Sequence, residues 1–357
     1  MKKQFLFLLI LFLLPRLGHA QQYLEDSLNK VIATSKDEAD VARAYNALGY
    51  EYTRKDVAKA RGYFASAIAI GKRINNVKRL SSAYSALVYL FHDAGQPDSA
   101  VYYIEMVKDL AAQANESEKN ALNSNYNTVA ALYYKKTGAL QKAIPFFERA
   151  IALDIKIGDK ESTAGQTLNL GNTYIELGNY QRATQNHLRA LQLFEEIGSQ
   201  RGISFCYQSL STSFTQLKQY NQALIYANKS LKIKTALNDR RGIGSTESGL
   251  GSIYFGLGDL DKALLHFNAS LNIAREQKNL QDERACYLDM AKLYTAKNDV
   301  KQAIAYFNRS KELAKQLRDN VSVAAINTEL IALEYNTQKT GLSETTLKNT
   351  VELFQQL

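Results

Sequence analysis

Tryptophan is absent, and the 357-residue chain holds only three prolines and two cysteines. So few prolines, with 19 glycines and no low-complexity tract, exclude a linker-rich or disordered protein. Two cysteines are too few for a disulfide framework. No run of five like charges occurs, which excludes a polybasic arm, and the favoured reading of the surplus charge is a solvated mixed surface without nucleic-acid binding. Motifs that carry chemistry are missing as well. There is no P-loop, no G-x-S-x-G, and no G-x-G-x-x-G after a strand, since Gly242-Ile243-Gly244 reads as an exit loop. Past the first 20 residues His92, His187 and His266 remain, and none stands at metal-ligand spacing from another His, Cys or carboxylate.

Only one long apolar run exists, and it opens the chain. Lys2 and Lys3 precede ten unbroken apolar residues, Phe5 to Leu14, which Pro15 ends. Gly18-His19-Ala20 then offers small residues where a signal peptidase reads, so residues 1–20 form a secretory signal peptide cleaved before Gln21. The run is shorter than the roughly 20 residues a membrane span needs, so no transmembrane span is expected after its removal. Cleavage removes Lys2, Lys3 and Arg16 and lowers the net charge from +9 to +6. The chain is expected to be exported, periplasmic or secreted.

What is present is repetition. Ala60, Ala100, Ala143, Ala183, Ala223, Ala263 and Ala303 each follow a short turn, and the last four stand 40 apart. Four residues past each anchor comes a bulky residue (Phe64, Ile104, Phe147, Phe267, Phe307), with His187 and Ala227 as exceptions. Seven past stands a small one, from Ala67 to Ser310, with Val107 departing. Positions i, i+4 and i+7 share one helical face, so small residues admit a close neighbour and the bulky one fills the space above. The preceding helix carries its own stripe: Leu170, Gly171, Tyr174; Leu210, Ser211, Phe214; Leu250, Gly251, Tyr254. Glycine inside a helix costs roughly 1 kcal/mol against alanine, so Gly171 and Gly251 call for close packing. Gly95, Gly138, Gly178 and Gly258 suit left-handed caps. Asn179, Asp259 and Asp299 suit the N-caps that follow, and Pro97 falls at a first helical position. Pro145, deeper in its helix, predicts a local kink.

A fixed period of this size marks a repeat architecture. The reading is all-α: a right-handed superhelical solenoid of antiparallel helix pairs. Residues 21–40 form an N-terminal capping helix, 41–320 seven helix pairs, and 321–357 a divergent final pair. Cys206 and Cys286 fall at one place in two repeats separated by a whole repeat, beyond bridging distance, so both are expected unpaired and buried. His187 occupies the bulky core place and is expected packed and hydrogen-bonded. The serines of the sequons at Asn228, Asn268 and Asn308 keep the repeat register and are read as packing residues.

The ensemble Leu-Gly-x-x-Tyr, Gly-[Asn/Asp], Ala-x-x-x-Phe-x-x-[Ala/Ser] resembles the tetratricopeptide repeat family, in its variety of about 40 residues per unit, similar to Leu-Gly-Asn repeat and kinesin light chain arrays. The resemblance implies that the first helix of each pair lines a concave face. Flanking the buried stripe there stand Thr128, Leu132, Lys135; Leu168, Asn172, Ile175; Gln208, Thr212, Thr215; Ser248, Ser252, Phe255; and Leu288, Lys292, Thr295. Some relatives grip a terminal carboxylate with paired Lys, Asn or Arg at such places, and only Asn172 and Lys292 qualify. The expected partner is therefore a protein or peptide, bound as an extended or helical segment. No cofactor, metal or small-molecule substrate is expected, and the chain reads as a non-enzymatic scaffold. A second reading is open: the sensory ectodomain of a membrane-bound signalling protein such as a histidine kinase or transcription regulator, because the chain stops inside its last helix pattern.

Overall fold

The computed structural model describes residues 16–53, 55–336 and 351. The apolar run at 5–14 and most of the second half of the expected final pair, residues 337–350 and 352–357, lie outside the described residues. Among these residues every regular element is a helix. In chain order they are α1 (Arg16–Thr34), α2 (Glu38–Tyr52), α3 (Val57–Arg73), α4 (Val77–Asp93), α5 (Pro97–Ala112), α6 (Glu116–Lys136), α7 (Leu140–Ile157) and α8 (Lys160–Glu176). Then follow α9 (Tyr180–Glu196), α10 (Gln200–Gln216), α11 (Tyr220–Ala236), α12 (Arg240–Gly256), α13 (Leu260–Glu276), α14 (Leu280–Ala296), α15 (Val300–Gln316) and α16 (Asn320–Asn336). From α2 to α15 they form antiparallel pairs, α1 packs on α2, and no described helix is long and apolar enough to cross a membrane. The chain divides into two compact units between Gln166 and Thr167, so α8 carries the boundary.

Turn chemistry closes each pair. Gly178 adopts φ +74°, which lets the amide of Asn179 bond the Tyr174 carbonyl at 2.8 Å and closes α8. The Asn179 side chain then accepts from the Arg182 amide at 3.2 Å and opens α9. Asp259 and Asp299 act the same way on α13 and α15, and Pro97 is the first residue of α5. Pro145 lies inside α7, which continues through it as one helix.

The anchors explain the core. All seven alanines are 0% exposed, so each lies where nothing larger fits. In the first unit Phe64 and Ile104 pack with Leu87, Phe91 and Val129. In the second, Phe267 packs with Leu271, Met290 and Leu293. Ser230 and Ser310, fully buried, donate to the carbonyls of Ser204 and Arg284, both at 3.0 Å, which satisfies a hydroxyl at a place built for a small side chain. Aromatic rings stack across several pairs: Phe214 on Tyr226 at 5.5 Å between ring centres, Tyr294 on Tyr306 at 5.3 Å. Both cysteines are unpaired and buried, as expected.

Gly251 shows why glycine recurs mid-helix. A Cβ there would lie 2.5 Å from the Phe267 ring, and that ring is buried. Gly251→Ala is therefore expected to destabilise by about 1–3 kcal/mol through overpacking, against the roughly 1 kcal/mol that helix propensity alone would add. Urea unfolding checks it, and Phe267→Leu in the same chain should restore most of the loss. A more stable Gly251→Ala would disprove the close-packing account.

Candidate functional site

First helices of successive pairs touch directly within each unit: α2 with α4, α4 with α6, α10 with α12, and α12 with α14. Their shared surface is stitched by side chains. In the first unit the Asn46 amide donates to Ser82 Oγ at 2.8 Å, and the Asn125 amide donates to Ser81 Oγ at 2.7 Å and Ser85 Oγ at 3.0 Å. Beside these bonds a cleft of about 350 Å³ opens, lined by Tyr50, by Lys78, the three serines and Tyr89 of α4, and by Asn125 and Val129 of α6. Tyr50 is 46% exposed, and Lys78 is also exposed, so a ring and an ammonium are both available to a guest. Burial raises the Tyr89 hydroxyl well above its ordinary range and keeps it a neutral donor. Thr128, Leu132 and Lys135 lie on the next turns of α6, each half-buried.

The second unit repeats the stitching with different residues. Asn172 Oδ1 accepts from Ser209 Oγ at 3.0 Å, Gln208 Nε2 donates to Ser245 Oγ at 2.6 Å, and Ser248 Oγ donates to Asp289 Oδ2 at 3.4 Å. All the predicted face residues of this unit are at least partly exposed. Several are nevertheless engaged. Thr212, Thr215, Ser252 and Thr295 bond their own helix backbone, and Phe255 and Leu288 pack against core clusters. Asn172 also faces His187, whose Nε2 lies 3.1 Å from Asn172 Oδ1 and whose Nδ1 lies 3.0 Å from Ser213 Oγ. Desolvation of this fully buried ring lowers its pKa to about 4, so it is neutral near pH 7. It is a core residue.

Sequence reading missed three groups. The first is the α2–α4–α6 cleft, because the chosen triplets began at Thr128. The second is Ser209 and Ser245, which stand 37 residues past Asn172 and Gln208. A search at the repeat period of 40 passes over them, since one side chain reaches a neighbour nearly a turn earlier along the next helix. The third is Lys234, 0% exposed on α11. Its Nζ donates to Gln208 Oε1 and, at 3.1 Å, to Thr246 Oγ1, and it lies 5.8 Å from the centre of the Phe205 ring. Desolvation lowers this ammonium to about 8. Asp289, half-buried, is raised to about 6, chiefly by desolvation, against the nearby charge of Lys292 and the Ser248 hydroxyl. Burial pushes the Cys206 thiol up to about 12 and Cys286 up to about 11, so neither is a thiolate near neutrality. Among the described residues no group of three His, Cys, Asp or Glu could hold a metal ion.

With this geometry in place, comparison with known proteins is decisive for the family. A tetratricopeptide repeat profile matches residues 163–236 and 242–316, and a second profile of the same repeat matches 124–154, together half of the chain. The chain belongs to the tetratricopeptide repeat family. A sequence search of curated proteins returns no match. Among solved structures, this repeat array is similar to a Rap protein complexed with competence and sporulation factor, at a TM-score of 0.62 and 15% identity over 89% of this chain and 93% of that one. It is similar to NprR in complex with its cognate peptide NprX (TM-score 0.60, 16% identity, 87% and 89% covered). It is also similar to the Cut9–Hcn1 hetero-tetramer of the APC/C (TM-score 0.61, 18% identity, 95% and 56% covered). At these identities the likeness is one of fold.

Proposed function

We propose that this chain is an exported, non-enzymatic tetratricopeptide scaffold that binds a peptide segment of a partner through the face formed by its first helices. The observation that carries the proposal is the α2–α4–α6 cleft. It opens between three first helices, and its walls combine exposed ring surface with hydroxyl, amide and ammonium groups. That is the chemistry of peptide recognition: aromatic anchors supply area, and polar groups meet the peptide backbone. Two structures of similar fold hold a competence and sporulation factor and a cognate peptide, which supports a peptide as the class of guest. The non-enzymatic part rests on the desolvated thiols and the core place of His187. The exported part rests on the signal-peptide pattern of residues 1–20.

One preparation tests both parts. The chain is isolated from the cell envelope, its N-terminus is sequenced, and the protein is used to select from a displayed random-peptide library. The expected N-terminus is Gln21. Selected peptides should bind Tyr50→Ala/Lys78→Glu about tenfold more weakly, the loss of roughly 1.4 kcal/mol typical of an exposed anchor. They should bind Tyr102→Ala, altered at an exposed ring on α5, as they bind the parent. Peptides indifferent to the cleft variant would overturn the site, and a chain retaining Met1 would overturn cleavage.

A further inference from the structure

The buried Lys234 is the key to a second cleft. Its side chain leaves α11 and fills the space between α10 and α12, under the Phe205 ring, with its ammonium on Gln208 and Thr246. The repeat returns 40 residues later with each of these parts changed. Ala274 stands at the place of Lys234, Ser248 at that of Gln208, Cys286 at that of Thr246, and Ser245 at that of Phe205. The filler and the covering ring are gone. What remains between α12, α13 and α14 is a cleft of about 190 Å³, lined by Gly244, Ser245, Ser248, Ser270, Ala274 and Cys286 among others. Ser245 is exposed at its mouth, on the face where first helices meet.

From this we infer that the α12–α14 cleft is a side-chain pocket of the binding face and takes a lysine side chain of the partner. The inference rests on the peptide-scaffold reading and names the chemistry of one guest residue. Lys234 shows that this place in the repeat accommodates a four-carbon stem and an ammonium without a carboxylate in direct contact. In the empty copy a carboxylate stands behind the wall. Ser248, a wall of the cleft, donates to the half-buried carboxylate of Asp289. The two charges at the rim, Arg241 and Asp282, lie 3.8 Å apart and offset one another. Lys292, one turn beyond Asp289 on α14, is exposed to solvent. An entering ammonium therefore meets the Ser245 and Ser248 hydroxyls, with the Asp289 carboxylate standing behind Ser248, while its stem lies against Gly244, Ala274 and Ile273.

The test uses the whole chain and a small probe, so it needs no prior peptide. Nα-acetyl-lysine amide is titrated into isotope-labelled protein and the backbone amides of Gly244 and Ala274 are followed by NMR, with Nα-acetyl-norleucine amide as the uncharged comparison. Saturable shifts are expected for the lysine probe at millimolar concentration, with norleucine about tenfold weaker. Ala274→Lys should supply the filler internally and abolish binding of the probe. Asp289→Asn should bring the lysine probe down to the norleucine level and leave norleucine unchanged, and this arm decides the matter if Ala274→Lys does not fold. No saturation, equal binding of the two probes, or lysine binding undiminished in Asp289→Asn would overturn the inference. Peptides that bind at the α2–α6 cleft while the probe fails would leave the scaffold reading intact and remove only the lysine pocket.

Discussion

Lys234→Met is expected to be more stable than the parent at pH 7.5 by about 1–3 kcal/mol, and to lose that lead as the pH rises toward 10.5. The cause is desolvation of an ammonium with no carboxylate in contact, which lowers its pKa to about 8 from an ordinary value of 10.5. Below pH 8 both folded and unfolded chains carry the proton, so the penalty of burying the charge is fully present. Between 8 and 10.5 the unfolded chain holds a proton that the folded chain has shed, so the folded state gains with rising pH. The gain is at most about 1.4 kcal/mol per unit and roughly 3 kcal/mol across the window. Methionine has a similar stem and no charge, so its advantage is confined to the lower side. Cys206, Cys286 and the buried tyrosines, all raised by burial, act in the opposite direction above about pH 9, but they are common to both proteins and cancel in the difference. Urea midpoints of the pair at pH 7.5 and 10 measure it. A constant gap between the two proteins would mean that the lysine is not held as described.

At the acid end the telling variant is His187→Phe. His187 titrates near 4 when folded and near 6.5 when unfolded, because burial disfavours the imidazolium. As the pH falls from 6.5 to 4 the unfolded chain takes up a proton that the folded chain refuses. The parent therefore loses up to about 3 kcal/mol over that range, and the phenylalanine variant does not share the loss. Near pH 7 the two should lie within about 1 kcal/mol of each other, because Phe147, Phe267 and Phe307 hold the same place in other repeats. The groups left behind keep other bonds: Ser213 donates to the Ser209 carbonyl at 3.0 Å, and Ser209 still donates to Asn172. Asp289 and Asp154, raised by burial, gain stability as the pH falls and so oppose the effect in both proteins. Parallel midpoints from pH 7 to 4.5 would refute the assignment of a neutral, buried imidazole.

The elements were legible because each is written locally. Ala-x-x-x-Phe-x-x-[Ala/Ser] is a helix face, Gly178-Asn179 is a cap and a start, and each is decided within a few residues by backbone geometry. The packing logic of Gly251 against Phe267 was legible too, since a costly mid-helix glycine needs a neighbour to justify it. The binding face was legible only in outline. The candidate residues are accessible, yet Asn172 spends its side chain on His187 and Ser209, and the open cleft lies instead at Tyr50, Lys78 and Tyr89. The bonds between neighbouring first helices join residues 36 to 44 apart, at offsets that vary from one pair of helices to the next.

The amino-acid order by itself determined the helix pairs, their turns, the fully buried anchors and the family. Such features depend on spacing along one chain, and a period repeated seven times states them redundantly. Only the tertiary structure decided which side chains meet between neighbouring first helices, that Lys234 is buried without a carboxylate in contact, and that Ala274 leaves its counterpart open. Those outcomes depend on how far a particular side chain reaches across a gap between helices, a distance set by packing and written at no single position.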